Sequence, residues 1–259
     1  ATGSGALNTL PISVTPYAVK FEKRLPVKIL FLALFFATIQ YMFMLGTRTQ
    51  FAILLLIVIL AALQFAYSEQ GIAGVLKCIG IMAAISLIAF LLYHFNVLSI
   101  RDYILSTNLA ARYERRASLE NSDSFRFQSF WIGLRELIQY PMGGRASQIY
   151  RHNMWLDVGR VSGIIPFCLL LIYSIKNFAN VTVIWKSKQI LPSLRYLLLF
   201  LYIGAYVNCF VEPIWEGALN FFLALCVVDG MVSAMMRRLE NDPNPEESIP
   251  DTSNLHTDL

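Results

Sequence analysis

Residues 50–95 read QFAILLLIVILAALQFAYSEQGIAGVLKCIGIMAAISLIAFLLYHF, two apolar runs over 50–67 and 73–95 divided by a short polar step around Glu69 and Gly71. Each run approaches the roughly 20 residues that a helix needs to cross the hydrocarbon core of a bilayer. Working outward, further runs lie at 27–45, 154–175, 195–211 and 214–236. The whole chain is 56% hydrophobic and only 15% charged, with a mean hydropathy of +0.55, a composition that excludes an ordinary soluble domain. The expected fold class is an all-α polytopic membrane protein with about six transmembrane helices. Residues 96–152 interrupt the series with a polar stretch too hydrophilic to insert, which reads as one long, partly helical loop outside the membrane.

Basic residues near span ends set the orientation, because Lys and Arg in short connections stay in the cytoplasm while long loops cross largely regardless of charge. Lys20, Lys23, Arg24 and Lys28 precede the first run, and Lys77 opens the third. Lys176, Lys186, Lys188 and Arg195 fill the connection between the fourth and fifth, and Arg237 and Arg238 follow the last. With six alternating spans all of these fall on one side, the cytoplasm. The turn at Arg48, the long loop and the Glu212-Pro213 turn then share the other, periplasmic in a bacterial inner membrane. Three regions follow: a cytoplasmic or interfacial segment over 1–26, a transmembrane domain over 27–238, and a disordered cytoplasmic tail over 239–259 whose Pro, Asn, Asp, Glu and Ser cannot bury a core.

Every lysine lies on the cytoplasmic side, whereas the long loop and its flanks carry arginine alone: Arg101, Arg112, Arg115, Arg116, Arg126, Arg135, Arg145, Arg151 and Arg160. The planar guanidinium grips phosphate oxygens two at a time, so an anionic ligand at the outer surface is expected, with lipid headgroups as the bland alternative. Cys78, Cys168, Cys209 and Cys226 stand singly in apolar runs and read as small buried hydrophobes. The sequence has no nucleotide-phosphate glycine loop, zinc motif or paired-aspartate metal site, so no metal, cofactor or nucleic acid is expected.

Within the loop the pattern predicts helices over 100–117 and 124–139, separated by an ENSDS turn whose Ser or Asp caps the second. Pro141 and Gly143-Gly144 stop that helix. Phe127, Phe130, Trp131 and Leu134 recur at helical spacing and face the membrane or neighbouring spans. Arg126 and Arg135, nine positions apart, fall on opposite faces. His152 then stands at the mouth of the fourth run, where Asn153 caps the first turn, Pro166 kinks the interior, and free N–H groups favour an anion. Asp157 and Arg160 pair three apart, and Gly159 and Gly163 allow close helix contact. The bland readings are an interfacial histidine and a structural ion pair.

The run from Arg126 through Trp131 to Pro141-Met142-Gly143-Gly144, then His152-Asn153 with Leu156, Gly163 and Pro166, resembles the signature of the O-antigen ligase and O-antigen polymerase family. Arg48 in LGTRTQ resembles that family's serine-arginine element, with Thr47 where Ser is usual. The likeness covers roughly residues 40–170. It implies a membrane glycosyltransferase with a GT-C-like helical bundle, of which this chain is the C-terminal part with further helices ahead of it. It also implies a donor glycan on undecaprenyl pyrophosphate and, as acceptor, another lipid-linked glycan or lipid A core.

On that resemblance, Arg48 and Arg126 meet the pyrophosphate and His152 is the general base or positions the acceptor, in place of the magnesium used in other phosphoryl-leaving reactions. Arg145, Arg151, Asn153 and Trp131 are expected to bind substrate. Glu212 and Glu216 could orient an arginine, bind sugar hydroxyls or serve as the base, and Trp131, Trp155, Tyr150 and Trp215 either stack on sugars or anchor the interface. Asp229 is expected to pair with a neighbouring helix. The WLDVGRVSGIIPF continuation looks more like a polymerase than a ligase. A transporter of the lipid-linked glycan is the reading from another class, but transporters place polar elements near the midplane, whereas the polar residues here gather at one surface.

Overall fold

The computed structural model describes residues 8–117, 122–147 and 149–241, and these residues form helices and turns without a strand. In chain order the helices are α1 Thr9–Phe21, α2 Leu25–Leu45, α3 Arg48–His94, α4 Ile100–Leu105, α5 Asn108–Ala117, α6 Ser122–Gln139, α7 Met154–Ser162, α8 Ile164–Lys186, α9 Pro192–Val211, α10 Ile214–Gly217 and α11 Leu219–Asn241. Five of them, α2, α3, α8, α9 and α11, are long and apolar enough to cross a membrane.

Helix α3 holds both apolar runs of the 50–95 stretch. Its 47 residues would reach about 70 Å if straight, more than twice a hydrocarbon core of about 30 Å. Gly71 leaves the helical region at φ 61°, ψ −143°. A Cβ placed on Gly74 would lie 2.3 Å from the carbonyl oxygen of Ala66, although residues eight apart in a continuous helix stand about 12 Å apart. The chain therefore folds back at Gly71, and α3 is a hairpin of two arms. The first arm buries Gln50, Ile53, Leu54, Ile57 and Ala61, a single face at spacings of three and four. Ile53, Leu54, Ile57 and Ala61 join Ile12, Met42 and Phe200 in one core cluster. The second arm is exposed along most of its length, from Ile72 to Leu91.

Several expected boundaries are corrected. The fourth span begins at Ile164 rather than 154, because Gly163 (φ 94°, ψ −177°) separates it from the nine-residue α7. Pro166 consequently sits in the first turn of α8, where it leaves the helix interior intact. The short α7 thus stands apart from the long apolar α8, and the last long helix starts at Leu219 after the one-turn α10. Residues 9–21 form α1, which lies along α9 and buries Thr9, Ile12, Ser13, Thr15, Pro16 and Ala18. Gly204 makes this approach possible, since a Cβ there would meet Ser13 Oγ at 2.6 Å and Ile57 Cδ1 at 3.0 Å. Inside a bilayer, where lipid is as apolar as leucine, such small-residue crossings and interhelical hydrogen bonds hold helices together. At one end of α1, Asn208 Nδ2 donates to Thr9 Oγ1 at 3.2 Å; at the other, Lys20 pairs with Glu69 beside the Gly71 bend.

The expected loop helices are present, with 100–117 divided into α4 and α5 and the second piece starting at Ser122. Asn108 Nδ2 donates to Met44 O at 2.6 Å and fastens α5 over the end of α2. The side-chain cap expected from the ENSDS turn lies outside the described residues, as does the tail beyond Asn241.

Candidate functional site

Helix α6 ends because Pro141 disfavours helical geometry in the residue before it, and Gly143 and Gly144 then reverse the chain at φ 73° and 78°. The reversed strand of chain docks on the α7–α8 junction. Gly144 N–H donates to Val161 O at 2.9 Å, Arg145 N–H to Arg160 O at 3.1 Å, and Ile164 N–H to Pro141 O at 2.8 Å. Carbonyls at the end of α7, which lack partners within the helix, are thus satisfied by the glycine turn. The packing leaves no space for a side chain: a Cβ on Gly143 would stand 2.5 Å from Gly163 N, and one on Gly163 2.4 Å from Pro141 O. Gly159 likewise abuts Leu137, where a Cβ would fall 2.2 Å from Cδ2.

The start of α7 is fixed as tightly. Asn153 is its N-cap, its side chain accepting from Leu156 N–H at 3.1 Å. The same side chain donates to Phe210 O at 3.2 Å and joins α7 to the end of α9. His152, just before it, is held at φ 55°, a left-handed conformation that a residue with a Cβ adopts at a cost of order 1 kcal/mol and that tends to mark functional sites. Its ring meets Tyr150 edge to face at 4.7 Å. A cleft of about 410 Å³ opens here, lined by Phe127, Phe130 and Trp131 of α6, by Arg151, His152 and Asn153, and by Phe210 and Val211 of α9. The lining is mostly apolar, an aromatic wall over a floor to which Arg151, His152 and Asn153 bring the polar groups.

Behind the floor runs a chain of alternating charges. Glu136 of α6 receives Arg151 in a two-pronged pair, Nη2 to Oε1 at 2.7 Å and Nε to Oε2 at 3.1 Å. It also receives Arg145 at 3.2 Å, whose guanidinium covers the Tyr140 ring at 4.2 Å. The backbone N–H of Arg151 donates to Asp157 Oδ1 at 2.6 Å. Asp157 pairs with Arg160 at 3.6 Å, both side chains fully enclosed, and Arg160 continues to Glu216 and donates to Arg145 O at 2.6 Å. Burial holds the Asp157 carboxyl above its ordinary range despite the opposing pull of the Arg151 amide and Arg160. Asp157 Oδ2 has no hydrogen-bond partner among the described residues.

His152, Arg151, Asn153 and Trp131 are thus brought to one cleft. Arg145 and Glu216 lie outside its lining, in the charge chain. Arg48 opens α3 half-buried; two residues on, Gln50 Nε2 reaches Asn208 Oδ1 at 3.4 Å, which places Arg48 at the same end of the bundle as Phe210 and Asn153. Glu212 is buried at the close of α9, next to Val211 but off the cleft lining. The Arg126 side chain lies outside the described residues; its backbone precedes Phe127 in α6. Glu136 and Phe210 were not anticipated: nothing in local spacing ties Glu136 to arginines nine and fifteen positions later, and its being a lone acid in the C-terminal half of the second loop helix is the only signal. Comparison with known protein families, with characterised proteins and with solved structures finds no match to this chain.

Proposed function

We propose that this chain is part of a membrane glycosyltransferase of the O-antigen or exopolysaccharide polymerase type, transferring a glycan from undecaprenyl pyrophosphate to a hydroxyl of a lipid-linked acceptor sugar at the periplasmic face. The observation that carries the reading is the cleft at the loop end of the bundle, where an aromatic wall faces Arg151, His152 and Asn153. Aromatic faces suit sugar rings and a prenyl chain, and the polar floor suits an anionic head. In the reaction the acceptor oxygen attacks the anomeric carbon, the bond from that carbon to the phosphate oxygen breaks, and the lipid pyrophosphate leaves with the electron pair. His152 takes the acceptor proton. Arg48 and Arg126 counter the charge that builds on the leaving group.

The bidentate grip of Glu136 on Arg151 assigns Arg151 a supporting part: it fixes the backbone on the N-terminal side of His152, as the Asn153 cap does on the other. Replacing His152 with Ala in the full-length protein, in cells lacking their own enzyme, is expected to lower transfer by about 10²–10⁴-fold, the span for losing a positioned acid–base group, with membrane insertion intact. Lipopolysaccharide and lipid-linked glycans resolved on a gel read the outcome. A ladder present with the wild type and lost in the variant supports a polymerase; a capped core without a ladder indicates a ligase; equal glycans in both remove His152 from the chemistry.

A further inference from the structure

Away from the cleft, a second polar cluster lies inside the membrane-spanning helices. Asp229 is the eleventh of the 23 residues of α11, about 15 Å from its start and so near the middle of a 30 Å core. It is 2% exposed. Tyr202 of α9, fully buried, donates its hydroxyl to Asp229 Oδ1, while Oδ2 has no hydrogen-bond partner among the described residues. On α8 the Tyr173 hydroxyl lies beside both the Asp229 carboxyl and the Asn177 amide, the latter in a side chain 3% exposed. The titratable groups around Asp229 are Tyr202, Tyr206 and Cys209 of α9, Tyr173 of α8 and Cys226 of its own helix. None of these is basic.

A charged carboxylate at this depth would have the Tyr202 and Tyr173 hydroxyls beside it but no counter-charge, which is among the costliest arrangements a membrane interior allows. A neutral carboxyl removes the charge and gives Oδ2 a hydrogen to donate, with the Tyr173 oxygen beside it to accept. Helix adhesion alone would be served by neutral hydroxyl and amide groups and needs no carboxyl without a counter-charge. We infer that Asp229, with Tyr202, Tyr173 and Asn177, is a proton-binding site inside the bundle, the proton being held on Oδ2 and exchanged there. Loss of that proton places an uncompensated negative charge where α8, α9 and α11 meet, so the packing of α11 responds to it. The site is independent of the glycan reading, and its test reads a carboxyl vibration rather than turnover.

The full chain, reconstituted in phosphatidylcholine vesicles, is titrated under infrared spectroscopy beside Asp229→Asn and Asp157→Asn. The wild type is expected to show a protonated-carboxyl band at neutral pH that shifts in heavy water and fades as pH rises; Asp229→Asn is expected to lack it and Asp157→Asn to keep it. No such band at any pH, or the same band in Asp229→Asn, overturns the inference, as does its loss in Asp157→Asn alone. Should Asp229→Asn fail to fold, Tyr202→Phe keeps the carboxyl and is expected to move the band to higher frequency by removing its hydrogen bond; a band that stays in place overturns the site as built.

Discussion

At the scale of single residues, the site depends on one backbone torsion held from both sides. His152 stands at φ 55°, and its neighbours are the two residues whose contacts fix it: Arg151 through Glu136 and Asp157, Asn153 through Leu156 and Phe210. Asp157 carries a pH consequence. Its carboxyl is raised above the ordinary 3.8 by burial, so between that value and its folded value the native state holds more protons than the unfolded chain. The contribution of Asp157 to stability is therefore largest in acid and is lost as pH rises through this window. Asp157→Asn keeps an acceptor for the Arg151 amide and cannot ionise. Thermal melts in detergent from pH 3 upward are expected to show a downward component in the wild type that the variant lacks; matching slopes would remove Asp157 as its source. The Asn153 cap and the Asp157–Arg160 pair were legible because both are local, within one or two helical turns. Glu136 was not, because its partners reach it only after the glycine turn has reversed the chain.

At the scale of elements, the Pro141-to-Gly144 turn and the α7–α8 break are one device seen from two sides. Gly163 sits at φ 94°, ψ −177°, a region open in practice to glycine alone, and the carbonyl of Pro141 occupies the place of its missing side chain. Gly163→Ala is expected to cost more than about 1–3 kcal/mol from the torsion alone, with the clash against Pro141 adding to it. Because the same contact sets the height of α7, the variant should lose the Asn153–Phe210 tie and the cleft with it. Limited proteolysis in the 139–163 stretch, faster in the variant than in the wild type, would register the release; unchanged cleavage would mean the turn is held by other contacts. The helix-stopping turn at Pro141 was legible in the sequence, and the break at Gly163 was not. A mainly apolar run from 154 to 175, with Asp157 and Arg160 three apart near its start, looks like one span, and a glycine within it looks like a packing position. Only the docking of Pro141 shows that this glycine also ends a helix.

At the scale of the molecule, the six apolar runs of the sequence appear as five long helices because the second and third share one hairpin bent at Gly71. That hairpin determines the sidedness of everything after it. If α3 crossed once, Arg48 and the loop that follows His94 would face opposite sides, and no residue of α6 or α7 could act with Arg48. The bend, with Lys20 paired to Glu69 beside it and Asn208 tied to Thr9 at the far end of α1, returns the chain to the end it left. Single cysteines at Ser68, His94 and Ser147, all exposed positions, introduced into a chain with its four native cysteines replaced, test this directly. A membrane-impermeant maleimide added to spheroplasts is expected to label the 94 and 147 positions and to reach 68 only after the membrane is opened. Labelling of 94 and 147 on opposite sides would contradict the loop as one extramembrane unit, and labelling of 68 from outside would undo the hairpin. Either result would separate Arg48 from His152 by the thickness of the bilayer and leave the proposed transfer without one of its two leaving-group arginines.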